Sequence, residues 1–482
     1  MRRIKKFRQH GHNAGQSALE ILIALTVLTL SVSAATLLSF SNQIVFSDTQ
    51  IATEALYKTQ RIIEDMRGMS RVNFNLLTAS DSTEGIYMKE AIIEDLTACK
   101  KQATSRVSWS ISPVRHQSIE FVTRMADIPG AIFIGGDCAG DEPTSDWTHP
   151  ETFSSIDFNP ADIKATDIDA KNSIAFVSGT DASTTKPDFF IFNAVDGSHP
   201  FLIYGKGFDM GPGINALDVI SGPDNNYYAF FAKADGNNQL QVARIPDDFS
   251  APPAIIASRK LPGVAGSFPQ GLSIYYYHSR AYIGTHRTAG NEFHVYDVSL
   301  PANPVWLGSK ELNHNINSIV VRDTLAYLAT SGNSKDIIVL DVSNPASIKE
   351  IQAIDLPGNE DGKTLELIGN KLYVGRFAGT TVNHPEFYIL DVRAPSSTIP
   401  VLGSLSIGKK DIAGIRVAGR FAFLGTGDAN ANIRIVDISN PASPHTVSTY
   451  NASQKTVALD YENDALYIAN ESNDALRIIH SP

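Results

Sequence analysis

The chain has 482 residues, 43% of them hydrophobic and 19% charged, with a formal net charge of −11. These proportions exclude a bulk-disordered chain and provide apolar material for two or three folded domains. The acidity argues against nucleic acid as a partner, because phosphate binding needs basic surface, and reads more simply as solubility for an exposed body.

The first fifteen residues, MRRIKKFRQHGHNAG, carry five basic side chains (Arg2, Arg3, Lys5, Lys6 and Arg8) and no acid. Behind them an apolar run reaches Phe40 and contains one carboxylate, Glu20, at the fifth position after Gly15. A basic flank keeps this end cytoplasmic while the apolar segment inserts. A carboxylate inside such a segment costs about 3 kcal/mol at mid-bilayer and marks a functional position by default. The core of an ordinary secretory signal is about 7 to 15 uncharged residues, whereas Ala18 to Phe40 spans 23 positions. A signal peptide cut near Val32-Ser33-Ala34 and a plain transmembrane anchor are the alternative readings.

No proline interrupts Gln16 to Ser70, and Ile44, Ile51, Ala55, Ile62 and Met66 recur at helical spacings among polar residues. One helix over residues 16–70 is therefore predicted, roughly 80 Å long, its first half long enough to cross a bilayer and its second half amphipathic. Gly68 and Ser70-Arg71-Val72-Asn73 end it. Basic leader, Gly15, Glu20 and long apolar run together resemble the class III signal of type IV pilins and pseudopilins. That resemblance implies cleavage between Gly15 and Gln16 by a prepilin peptidase and methylation of the new N-terminus. It also implies that Glu20 pairs with the terminal amine of a neighbouring subunit, fixing filament register. Gln16 stands where the family usually has phenylalanine. Losing the leader would take the net charge from −11 to about −16.

Residues 71–145 read as a small β region. Ser105 to Ser112 and Gln117 to Thr123 alternate apolar and polar residues as half-buried strands do, and Ala131 to Gly135 is a candidate third strand. The only cysteines are Cys99 and Cys138. Outside the cytoplasm an even count favours a disulfide between them, contributing about 3 to 4 kcal/mol in the chain-entropy view, with two free buried thiols as the alternative. With the cysteine pair, the region resembles the small sheet that pilin-like subunits pack on their helix.

Residues 146–482 are repetitive. EFHVYDVSLPANPVWLGS, DIIVLDVSNPASIKEIQA, EFYILDVRAPSSTIPVLGS and NIRIVDISNPASPHTVST are copies of one unit. Their strand-ending aspartates, Asp297, Asp341, Asp391 and Asp437, lie 44, 50 and 46 residues apart. Two more β-rich stretches precede each copy, and four strands in about 45 residues is the spacing of a β-propeller blade. Divergent copies extend the array both ways. The last unit supplies three strands, and Glu151 to Phe158 is positioned to add the fourth, closing seven blades from both chain ends. These repeats resemble the LVIVD-type propeller family, with Asn193, Arg244 and His480 at the place of the aspartate in the divergent units. The fold expected is mainly β: a long N-terminal helix, a small pilin-like β region and a seven-bladed propeller.

Little in this pattern is catalytic. An aspartate once per unit before Ser-Asn-Pro-Ala is a turn device whose carboxylate accepts backbone N–H groups. Asp428-Ala429-Asn430-Ala431-Asn432 begins like a calcium loop but has Ile433 where glycine is required and Ser439 where the last acid belongs, so a hairpin is expected. The histidines show no paired metal spacing, His314 and His384 read as loop residues, and no nucleophile elbow, P-loop or dinucleotide fingerprint appears. The tyrosines at 275–277 and the phenylalanines at 189, 190 and 192 read as packing. No cofactor, metal or catalytic residue is expected.

The resemblance to pilins implies a structural subunit, inserted in the cytoplasmic membrane with its N-terminus inside and then displayed on the cell surface. Its bulk suits a minor pilin or pseudopilin carrying a propeller for adhesion or partner binding. Implied partners are prepilin peptidase, other pilin subunits, the membrane and an unidentified extracellular ligand. The alternative is a membrane-tethered propeller enzyme or ligand-binding protein, which would gather acids or histidines at the central channel.

Overall fold

The computed structural model describes residues 14–72, 77–97, 100–112, 115–126, 143, 145–158, 163–180, 186–222, 224–266, 269–379, 384–395, 398–472 and 474–482. Cys99, Cys138 and the candidate strand Ala131 to Gly135 lie outside these residues. The chain divides into two compact units, Met1–Asp127 and Ile128–Pro482.

In the first unit, helix α1 (Ala14–Val72) runs 59 residues without a break, about 88 Å at the usual rise. It extends slightly past the sequence-predicted end because Ser70 hydrogen-bonds back to the Arg67 carbonyl and Gly68 is tolerated within the last turns. Its segment Ile21–Ser39 has a mean hydropathy of 2.3, is wholly exposed, and is long and apolar enough to cross a membrane.

The second half of α1 lies on an antiparallel sheet of order β1 (Ser80–Glu84), β2 (Tyr87–Thr97), β3 (Lys100–Ser112) and β4 (Arg115–Ala126). Ala55, Ile63 and Met66 of the helix are buried with Tyr87, Ala103, Val107 and Trp109 of the sheet. The Ser105 hydroxyl donates to the Thr59 carbonyl at 2.9 Å and the Tyr87 hydroxyl to the Ile51 carbonyl at 3.1 Å, fixing the helix in register with the strands. The β1–β2 hairpin was not legible in the sequence. Its first strand, SDSTE, is exposed throughout, so no apolar alternation marks it, and only Gly85 at φ 63° signals the turn.

Among its described residues the second unit contains seven four-stranded antiparallel sheets. Six are consecutive in sequence. In the seventh, the strand Asp474–His480 near the chain's end pairs with β5 (Glu151–Asp157), which precedes the first sheet. The innermost strands are Lys164–Lys171, Ile214–Ser221, Gly271–Tyr277, Ile316–Arg322, Gly362–Ile368, Ile412–Ala418 and Thr456–Glu462. Each of these packs against the next, and the seventh packs against the first, so the sheets close into a ring.

Between every two neighbouring sheets lies one apolar layer. Burial of apolar area in these layers is the main stabilising term. A second contact recurs at the rim: a Cβ on Gly308 would lie 1.8 Å from the Pro345 carbonyl oxygen, and one on Gly403 2.0 Å from that of Pro441. Only glycine lets the proline turn of one sheet approach the outer strand of the sheet before it.

Candidate functional site

Each innermost strand begins with a β-bulge, between Ala165 and Asp167 in the first sheet and at the equivalent place in the other six. A bulge sharpens the local bend and re-aims the side chains that follow. Counting from it, the same register position is held by Asp169, Asp218, Tyr275, Val320, Glu366, Arg416 and Asp460, one from each sheet. The residue opposite each on the second strand is aromatic in every case: Phe176, Phe230, Tyr282, Tyr327, Tyr373, Phe423 and Tyr467. The aromatic rings fill the layers behind. The seven facing residues line a central cavity of about 760 Å³, to which Asp167 and Lys171 also contribute.

The carboxylates in this ring first serve the backbone. An innermost strand has no neighbour on its channel side, and its N–H groups need other acceptors. Asp167 accepts from Leu217 N at 2.9 Å, Asp169 from Val219 N at 2.6 Å, Asp218 from Tyr276 N at 2.6 Å and Asp460 from Ala170 N at 2.7 Å. Each bond runs to the next sheet, and that of Asp460 joins the last to the first. Glu462 adds to this junction by accepting from Asn172 N and Ser173 N at 2.7 and 2.6 Å.

Two cations pair with these carboxylates. Arg416 donates through Nε to Asp460 at 2.7 Å and approaches Glu366 at 3.4 Å, while Lys171 lies 3.1 Å from Asp169. Burial pushes the Asp167 carboxyl up to about 6. It pushes that of Asp169 up to about 8, with Lys171 opposing and Asp460 and Asp218 reinforcing the shift. Asp218 is raised by the same desolvation. At Asp460 the attraction of Arg416 and Lys171 outweighs burial and holds the carboxyl below its ordinary value. Lys171 is raised by Asp169, and Arg416 is raised by Asp460 and Glu366 against the cost of its burial. The ring can therefore hold a proton on Asp169 near neutral pH while Asp460 stays ionised.

Among the described residues no three His, Cys, Asp or Glu side chains are arranged to hold a metal ion. The carboxylates at the channel are the convergence that the ligand-binding alternative required. They come from four different sheets and, Asp167 and Asp169 aside, lie 49 or more residues apart in sequence, so no local motif marks the set.

The turn aspartates lie elsewhere, at the outer ends of third strands. Asp297 accepts from Ser299 N at 2.8 Å, Asp341 from Ser343 N at 2.9 Å, Asp391 from Arg393 N at 3.1 Å and Asp437 from Ser439 N at 2.9 Å. Asn193 does the same for Val195 N at 3.0 Å. Asp428 sits in a hairpin, accepting from Asn430 N at 3.2 Å and pairing with Arg434 at 3.1 Å. His384 faces Glu360 at 3.2 Å, and the His314 ring packs on Gly332, where a Cβ would lie 2.9 Å from it. Gly15, Gln16 and Glu20 lie within α1.

A second repeated polar position went unread in the sequence. Just before the apolar third strand, or as its second residue in the case of Asp336, stand Asp188, Gln239, Glu292, Asp336, Glu386 and Asn432, all buried. The first five accept the backbone N–H of the residue closing their own sheet: Met210, Leu261, Leu312, Leu356 and Ile407, at 2.7 to 3.0 Å. Aligning the copies exposes the signal, since in six of the seven units the residue five before the strand-ending position is Asp, Glu, Asn or Gln, with Ala475 in the last. At two junctions a buried cation from the next sheet joins: Lys233 on Asp188 at 2.9 Å, and Arg376 near Asp336 at 3.7 Å.

The sequence profile of the LVIVD repeat matches residues 315–355 and 411–452. Each match spans one whole four-stranded sheet, so the repeat and the sheet coincide. Among solved structures, the WD40 beta propeller domain of Doa1 is similar in fold, with a TM-score of 0.50 and 12% identity over 70% of this chain and 98% of that one. The second unit is a β-propeller. No curated protein matches the chain.

Proposed function

We propose that this chain is a minor pilin or pseudopilin-like subunit, processed after Gly15, anchored and assembled through α1, and displaying a seven-bladed propeller for adhesion or partner binding outside the membrane. Its work is non-catalytic. The reading rests on the class III signal pattern around Gly15 and Glu20. The observation in its favour is the division of labour along α1: Ile21–Ser39 is exposed and apolar, while the later half is packed on its own four-stranded sheet. A helix half committed to its subunit and half left bare suits insertion first into a bilayer and then among the helices of neighbouring subunits.

Mass spectrometry of the mature protein tests the processing step, with a methylated N-terminal Gln16 as the expected result. A retained leader, or a terminus near Ala34, would refute it. Replacing Glu20 by alanine should abolish incorporation into sheared surface filaments or a secretion complex while leaving membrane insertion intact. Unchanged incorporation overturns the assembly role.

A further inference from the structure

The fold leaves one carboxylate oxygen in the channel unused. Asp218 gives Oδ2 to Tyr276 N, but among the described residues its Oδ1 receives no hydrogen bond and Asp218 forms no ion pair. The three cations that line the cavity are already engaged, Arg416 by Asp460 and Glu366, Lys171 by Asp169 and Lys363 by Asp411. Beside Asp218 in the ring stands Tyr275, which also lines the cavity and whose hydroxyl has no hydrogen-bond partner among the described residues.

The chemistry of the space narrows the ligand. Five carboxylates (Asp167, Asp169, Asp218, Glu366 and Asp460) outnumber the three cations Lys171, Lys363 and Arg416, a balance that disfavours anions once the acids are ionised. A cavity of about 760 Å³ is far larger than a bare metal ion needs, and no metal-holding trio is present among the described residues. A carboxylate next to a tyrosine ring is the pairing that attracts an alkylammonium group, through a charge-assisted hydrogen bond on one side and the ring face on the other.

We propose that the channel binds a small organic ammonium ion, its charged nitrogen seated between the Asp218 carboxylate and Tyr275. Its aliphatic part lies along Ile220 and Val320, which share the cavity wall. The site stands whether or not α1 enters a filament. Burial raises the Asp218 carboxyl, with Asp460 adding to the shift, so a cation seated there competes with a proton and binding strengthens as pH rises. The charged and titratable groups that line the cavity with Asp218 are Asp167, Asp169 and Lys171 of the first sheet, Tyr275 and Tyr276 of the third, Lys363 and Glu366 of the fifth, Arg416 of the sixth and Asp460 of the seventh. The fourth sheet presents only Asn317, Ser318, Ile319 and Val320.

Isothermal titration of the detergent-solubilised full chain with putrescine near pH 8 tests this. The expected result is saturable binding that releases protons, seen as a heat that changes with the ionisation enthalpy of the buffer. Asp218→Asn keeps an acceptor for Tyr276 N and should weaken binding about tenfold or more, the worth of a charge-assisted bond. Tyr275→Leu should weaken it severalfold, and decides the matter if the first variant fails to fold. The proposal is overturned by absence of saturable binding at millimolar putrescine. Undiminished binding in a folded variant overturns it too, as does equal competition by magnesium or sodium, which would mark an inorganic-cation site.

Discussion

The Asp460 carboxylate of the last sheet accepts the Ala170 N–H of the first sheet at 2.7 Å and holds the Arg416 guanidinium at 2.7 Å with its other oxygen. Closure of the ring thus rests on a side chain as well as on the shared β5 pairing. Asp460→Ala leaves the Ala170 N–H unbonded and Arg416 with Glu366 alone. Breaking a buried, hydrogen-bonded ion pair from one side costs about 3 kcal/mol. Urea unfolding of the propeller should register that loss, and a change below about 1 kcal/mol would contradict the stapling role.

Asp169 gives stability the opposite pH dependence. Its carboxyl stands at about 8 in the folded chain against 3.8 for the free group, so the folded state keeps a proton that the unfolded state releases. The stability linked to that proton is present below the unfolded value and lost as pH rises through about 8. Asp167, at about 6, adds the same slope over a lower window. The melting temperature of the propeller should fall between about pH 5 and 8.5, and Asp169→Asn should flatten the fall. A gap between variant and wild type that stays constant over this range contradicts the assignment. Asp460 acts with the reverse sign, but only as pH drops through its lowered value.

Two glycines test the rim contacts. Gly308→Ala and Gly403→Ala place a methyl 1.8 and 2.0 Å from proline carbonyl oxygens, so the turn must move outward, at about 1 to 3 kcal/mol each. Gly68→Ala is the contrast, since no atom lies within 4 Å of its Cβ position in the helix, and it should stabilise α1 by about 0.5 to 1 kcal/mol. Thermal melts of the three variants should separate in sign.

Glu386 and Asp297 distinguish the two repeated polar positions. Glu386 is buried and accepts from Ile407 N and Lys409 N. Glu386→Ala therefore strands two backbone donors and should cost about 2 to 4 kcal/mol. Asp297 serves a single N–H in a largely exposed turn, and Asp297→Ala should cost about 1 kcal/mol or less. Equal losses in chemical denaturation would show that burial does not set the difference.

The repeated sheets were readable because each carries the same succession of apolar strand, aspartate and proline turn, and β5 could be placed from the missing fourth strand of the last unit. The polar residue at the start of six of the seven third strands was visible in the same copies, yet it reads as a loop residue until its burial is known. The channel ring was hidden for another reason. Its seven positions hold Asp, Asp, Tyr, Val, Glu, Arg and Asp, with no one residue type common to all, and their equivalence is defined by the bulges in the strand pairing.

The order of residues alone determined a proline-free helix with a bare apolar half, the position of Glu20 within it, and a β-rich array of one repeating unit, because periodicity and turn chemistry act over a few neighbours. Tertiary structure decided which strand side chains meet at the centre and which carboxyls keep their protons. Desolvation and charge proximity exist only once seven innermost strands, drawn from nearly three hundred residues of chain, have converged on one axis.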